Sequence, residues 1–143
     1  MIVHQVVGKL AELNLDHQQG NADFTIERVL LSWDELPKRI LRKTTDGGRE
    51  IGIQLEHGHL HPGDILHREG QHIIIVAVKA EAVLVVSVDT MRNMGLAAHA
   101  IGNMHAPVEI TADTIITPYN SVLAAQLQKL GLATQVENRP FAP

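Results

Sequence analysis

The most apolar stretch of the chain, IIIVAVKAEAVLVVSV at residues 73–88, is broken near its centre by Lys79 and Glu81. With those charges inside it, the stretch is too short and too polar to cross a bilayer. Two buried β-strands flanking a break account for it. The break also marks a change in hydrophobic period, so the seam near Lys79–Ala80–Glu81 divides the sequence into halves that must fold differently.

Before the seam the pattern is that of strands. IVHQVVGKL alternates loosely, and FTIERVLLSW is rich in β-branched and apolar residues. RILRKTT and REIGIQL flank Asp46–Gly47, a pair suited to the positive φ angles of a tight hairpin turn. HPGDIL adds a Pro-Gly turn before HIIIVAV. No helical period survives, which predicts a small all-β domain over residues 1–78, with little core of its own and packed loosely on the rest.

After the seam the period lengthens. AVLVVSV reads as a strand, with Asp89 or Thr90 placed to cap a following helix. Met91, Met94, Ala98 and Ile101 are expected on one face of that helix, with Arg92, Asn93 and His99 off it. Gly102 and Asn103 are expected to supply the left-handed residue that ends it. PVEIT and TIITP read as two short strands around Ala112–Asp113. Asn120 or Ser121 caps a second helix carrying Leu123, Leu127 and Leu130, Gly131 terminates it, and LATQVEN is a last strand. The expected fold is α+β: the all-β domain, then a ferredoxin-like β-α-β-β-α-β domain over residues 79–143.

Composition narrows the chemistry. Hydrophobic residues make up 45% of the chain and aromatic residues 3%, so cores must be built from aliphatic side chains. A net charge of −4 argues against nucleic acid as a partner, because phosphate binding needs a concentrated basic surface. There is no cysteine, hence no disulfide and no thiolate ligand, as suits a reducing compartment. MIVHQVVGKL lacks the features of a signal peptide, and the chain reads as cytoplasmic, with no membrane partner. Neither GGREIG nor GHLHPG carries the lysine and hydroxyl of a phosphate loop, and no nucleophile-and-base arrangement is visible. An enzyme is not expected.

The nine histidines remain. His57, His59 and His61 would share one strand face at period two, a familiar zinc arrangement and the basis for reading a metal-dependent hydrolase. Gly58 and Pro62–Gly63 instead suggest a turn that splays the three rings, and solvated turn histidines usually bind nothing specific. His4, His17, His67 and His72 sit singly near strand ends and take the same reading. His105 follows a helix stop and precedes a strand, so its backbone is pinned. On spacing alone it reads as a histidine satisfied by one hydrogen bond, since one imidazole cannot hold a transition metal. A twofold axis would change the count, because one ring per chain then supplies two ligands, a donor set suited to nickel, copper or zinc.

The sequence resembles the urease accessory metallochaperones, the UreE family, along nearly its whole length. The landmarks are RILRKTTDGGREIGIQL, GDIL, the strand pair around Glu81, AIGNMHAPVEI and LGLATQVENRPF. The resemblance implies a peptide-binding-like β-rich N-terminal domain and a ferredoxin-like metal-binding domain. It implies a cytoplasmic homodimer that binds Ni²⁺ and donates it, with a urease accessory GTPase and the urease pre-activation complex, to the urease active site. The family's Gly-Asn-Arg-His motif falls on Gly102, Asn103, Met104 and His105, which makes His105 the interfacial metal ligand. Its arginine is Met104 here, a lost positive charge and a thioether more tolerant of copper, although methionine at an interface is more often packing. PYNS replaces histidines that many relatives carry before the last helix, and the sequence ends at Pro143 without their histidine-bearing tail. The expected capacity is one Ni²⁺ per two chains, or per four if two dimers pool their His105 rings, with Zn²⁺ and Cu²⁺ as competing ions. His99, on the more polar helix face, is expected outside the innermost ligand set. A regulatory ferredoxin-like dimer that senses a metal or small ligand is the alternative.

Overall fold

The computed structural model describes residues 1–13 and 24–143, in two compact units, Met1–Lys79 and Ala80–Pro143. His17 lies outside the described residues.

Strands form in the first unit wherever β-branched and aliphatic residues alternate or run together. β1 (Ile2–Val3), β4 (Ile40–Thr44) and β5 (Glu50–Gln54) make a three-stranded sheet in the order β1-β5-β4. β2 (Gly8–Lys9), β3 (Thr25–Leu31), β6 (Asp64–Glu69) and β7 (His72–Val78) make a second in the order β2-β6-β7-β3. β3 runs parallel to β7, and a register irregularity between Ile65 and His67 bends β6 where it pairs with β7.

The apolar run in β7 is continuous because both of its faces are covered. Ile74 and Val76 join Val29, Leu31, Ile51, Ile53, Leu60 and Leu66 in the main core, while Ile73 and Ile75 pack with Ile65 in a smaller cluster. The expectation of little core is therefore corrected. Inward residues are spread thinly along many short strands, so no single segment reveals how much they bury together.

The β4–β5 hairpin also differs from expectation in its turn. Thr45 and Arg49 close the loop, Gly48 N–H donates to Thr45 O at 3.0 Å, and the positive φ (+87°) falls on Gly48. This is a three-residue loop with its left-handed residue last, where glycine is needed, and Asp46–Gly47 form the preceding turn.

The second unit follows the expected order: β8 (Ala80–Ser87), α1 (Met91–Asn103), β9 (Glu109–Ile110), β10 (Thr114–Pro118), α2 (Ser121–Lys129) and β11 (Ala133–Pro140). Its sheet has the order β11-β8-β10-β9 with every pairing antiparallel, the ferredoxin-like arrangement. Leu84 and Val86 of β8, Val88 just after it and Ile115 of β10 form one core with Ala97 and Ile101 of α1 and Leu123 and Leu127 of α2. Asn120 caps α2 by accepting from Leu123 N–H at 3.0 Å, and Gly131 follows it at φ +79°. Leu130 is the C-cap residue beyond the last helical position and is exposed, against expectation. Among the described residues no helix is long and apolar enough to cross a membrane.

Candidate metal centre

α1 begins where Thr90, in extended backbone, turns its hydroxyl to accept from Asn93 N–H at 3.0 Å. From there the helix buries Ala97 and Ile101 completely and half-buries Met94, Leu96, Ala100 and Met104. The expected face of Met91, Met94, Ala98 and Ile101 was thus half right. Met91 and Ala98 face solvent, because the seam follows 94, 97, 101 and 104, a phase that small Ala97 conceals.

Gly102 and Asn103 do not stop the helix. Both belong to its last turn, and the left-handed residue is His105 itself, at φ +56°, the non-glycine residue with positive φ among the described residues. His105 N–H donates to Gly102 O at 3.0 Å and Ala106 N–H to Ile101 O at 3.4 Å. This pair of bonds is a Schellman motif, with Ala106 packed on the core that Ile101 enters. The helix runs on to this point because Ile101 must be buried and Met104 still has core to pack against. The next residue then has to take the left-handed turn, although it carries a Cβ.

The chain is tied down again immediately afterwards. The hydroxyl of buried Thr117 donates to Pro107 O at 2.9 Å, and β9 joins β10 through the Ile110–Ile115 and Glu109–Ile116 pairs. Glu109 is also held, by Arg139 at 3.3 Å and by Ala142 N–H at 3.0 Å. His105 thus leaves a fixed backbone with its side chain exposed, and among the described residues no hydrogen bond engages its ring. The histidine expected to be satisfied by one bond is free. Met104 beside it packs on the helix-side core.

His99 is exposed one turn earlier, with Asn103 Nδ2 3.3 Å from its Nε2. It borders a groove of about 460 Å³ between α1 and α2, lined also by Leu96, Ala100, Met104, Gln126 and Leu130. Among the described residues no three histidine or carboxylate side chains converge closely enough to hold a metal ion.

The other histidines divide into distinct environments. His72 Nε2 lies 2.8 Å from Oε1 of buried Glu27, whose carboxylate also accepts from Thr45 Oγ1 and sits 3.6 Å from Arg49 Nε. The Thr45 hydroxyl holds Glu27 below the usual carboxylate range against the opposing effect of burial, with His72 and Arg49 adding to it. His72 is therefore part of a structural ion cluster, which an isolated position in the sequence did not suggest. His67 lies 3.8 Å from Glu69, at the surface.

The expected turn is confined to a bend at 56–58 and a turn at Pro62–Gly63, and between them the rings are not all splayed. His59 and His61 lie with centroids 4.4 Å apart and planes 39° to each other. Alternation around buried Leu60 was the signal, and the flanking glycines and proline outweighed it.

The N-terminal domain family of the UreE urease accessory protein matches residues 3–79, and its C-terminal domain family matches residues 81–143. The chain is 37% identical to a urease accessory protein UreE of Staphylococcus carnosus over 140 residues, covering 97% of this chain and 91% of that one. It is 39% identical to another from Halalkalibacterium halodurans over 141 residues, covering 99% and 90%. With both of its domains matched in order and its length covered almost end to end, the chain belongs to the UreE family of urease accessory proteins.

Proposed function

We propose that the protein is a nickel metallochaperone in which His105 rings from two chains meet at a homodimer interface and hold Ni²⁺ for donation during urease active-site assembly. The observation that carries this reading is the ring of His105: exposed, without a hydrogen-bond partner among the described residues, and projected from a backbone fixed on both sides. One imidazole per chain is an incomplete metal site, and a twofold axis completes it with a second identical donor. Imidazole suits Ni²⁺, and Zn²⁺ and Cu²⁺ compete for the same donors. Family membership supports a role in urease maturation. On this reading the further partners are the accessory GTPase and the urease pre-activation complex, met in the cytoplasm. Nothing in the role requires the protein to catalyse a reaction.

Nickel titration with mass determination in parallel tests it. One tight Ni²⁺ per two chains, or per four if dimers pair, is expected for wild type, and none in His105→Ala. One tight ion per isolated monomer, or undiminished binding in the variant, refutes the shared site.

A further inference from the structure

We propose that the cleft of the first unit is a second, weaker binding site for a divalent transition-metal ion, with His59 and His61 as its imidazole donors. The site goes beyond the role assigned to His105 and depends on none of its residues.

The two rings are placed rather than merely near. Leu60 between them is fully buried in the core of the first unit, and its N–H donates to Leu36 O at 3.1 Å. With the central residue of the three turned inward, His59 and His61 face outward on the same side. His61 is fixed further by the turn that follows. Its N–H donates to Asp64 Oδ2 at 2.7 Å, and Asp64 N–H returns to His61 O at 3.1 Å across Pro62 and Gly63, the latter at φ +86°. Glycine at that third position and proline before it are what a type II turn requires. The carboxylate at the base of the turn is buried and is matched by the ammonium of Lys9.

The rings stand on a cleft of about 630 Å³ that His4, His57, Glu12 and Glu56 also line. Lys9 and Asp64 cancel as a pair, so Glu12 and Glu56 give the cleft a surplus of negative charge. That field concentrates cations at its mouth. Two imidazoles 4.4 Å apart by centroid present nitrogen donors that suit Ni²⁺, Cu²⁺ and Zn²⁺ over Mg²⁺ or Ca²⁺. No third donor converges with them among the described residues, so water completes the coordination and the affinity is low. A weak, open, solvent-facing site captures an ion and releases it readily.

The test is calorimetric titration of the full chain with NiCl₂, comparing wild type, His59→Ala/His61→Ala and His105→Ala. Wild type should show a weaker class of site beneath the tight one, at least about tenfold lower in affinity. The double variant should lose the weaker class and keep the tight one, and His105→Ala should do the reverse. Paramagnetic broadening of the His59 and His61 ring resonances in wild type, at Ni²⁺ beyond saturation of the tight class, reads the same site without any substitution. A single class in wild type, a weaker class that survives the double variant, or unbroadened rings overturns the proposal. Persistence of the tight class in His105→Ala would instead refute the shared His105 site and leave the cleft untouched.

Discussion

Replacing His105 by glycine should stabilise the metal-free protein while abolishing the tight nickel site proposed for it. An L-residue in the left-handed region costs about 1–2 kcal/mol, because its Cβ crowds the following carbonyl. His105 carries that cost at φ +56°, and no hydrogen bond from its ring offsets it among the described residues. Glycine removes the clash but gives up about 0.5–1 kcal/mol more backbone freedom on folding. The balance favours His105→Gly by about 0.5–1 kcal/mol. His105→Ala keeps the Cβ and the strain, so it should stay within about 0.5 kcal/mol of wild type.

Urea unfolding separates the two units in one experiment. The α-helices of the described residues lie in the second unit, and Trp33, the single tryptophan, lies in the first. Far-UV circular dichroism therefore follows the second unit and tryptophan fluorescence the first. With a urea dependence of about 1 kcal/mol/M, the helical midpoint should rise by about 0.5–1 M in His105→Gly, with the Trp33 transition unmoved. A midpoint in His105→Gly at or below that of His105→Ala would refute the argument that strain is stored at this residue.

Other perturbations probe the supports. Ile101→Ala empties a fully buried site next to the helix stop and should cost the second unit about 3 kcal/mol of unfolding free energy in the same assay. Asn120→Ala removes the α2 cap and should cost about 1 kcal/mol in that transition. Glu35 is held down to about 2, first by the Ser32 N–H and then by Lys43 and the Ser32 hydroxyl, against burial. Its folded value is depressed, so its contribution is present above about 4.5 and lost as the pH falls toward about 2. Acid unfolding followed by Trp33 should show about 2 kcal/mol of stability lost across that window in wild type and not in Glu35→Gln.

The order of elements could be read from the sequence because each was announced by local chemistry. Asn120 and Thr90 mark helix starts with side-chain oxygens, and the apolar run of β7 marks a strand covered on both faces. What could not be read depends on tertiary choice. The phase of α1 rests on Ala97, a residue small enough to suit either face, and on Met91, an apolar residue left in solvent. The helix stop was expected at Gly102–Asn103 because glycine and asparagine tolerate the left-handed region best. The core demanded Ile101 and accepted Met104, and that moved the stop onto a histidine. The ring pair of His59 and His61 was hidden in a different way. Turn residues in sequence predict where the chain bends, while the direction of side chains through the bend is set by Leu60 reaching the core.

A strained histidine at the end of a helix, its ring unbonded among the described residues, has a consequence for the proposed shared site. With one ring from each chain, metal binding and association are linked, and each strengthens the other by the same factor. At a free ion concentration 100 times the dissociation constant, the bound state gains about 2.7 kcal/mol over the separated one. Release then needs no rearrangement inside either unit, since whatever opens the interface or offers the ion better donors withdraws it. Fixing the backbone at Gly102, Ile101 and Pro107 means that little ordering has to occur when the ion arrives. The left-handed residue is thus a cost borne in the folded state that removes a cost from each binding event. It is the arrangement expected of a carrier that must load and unload repeatedly through a single side chain.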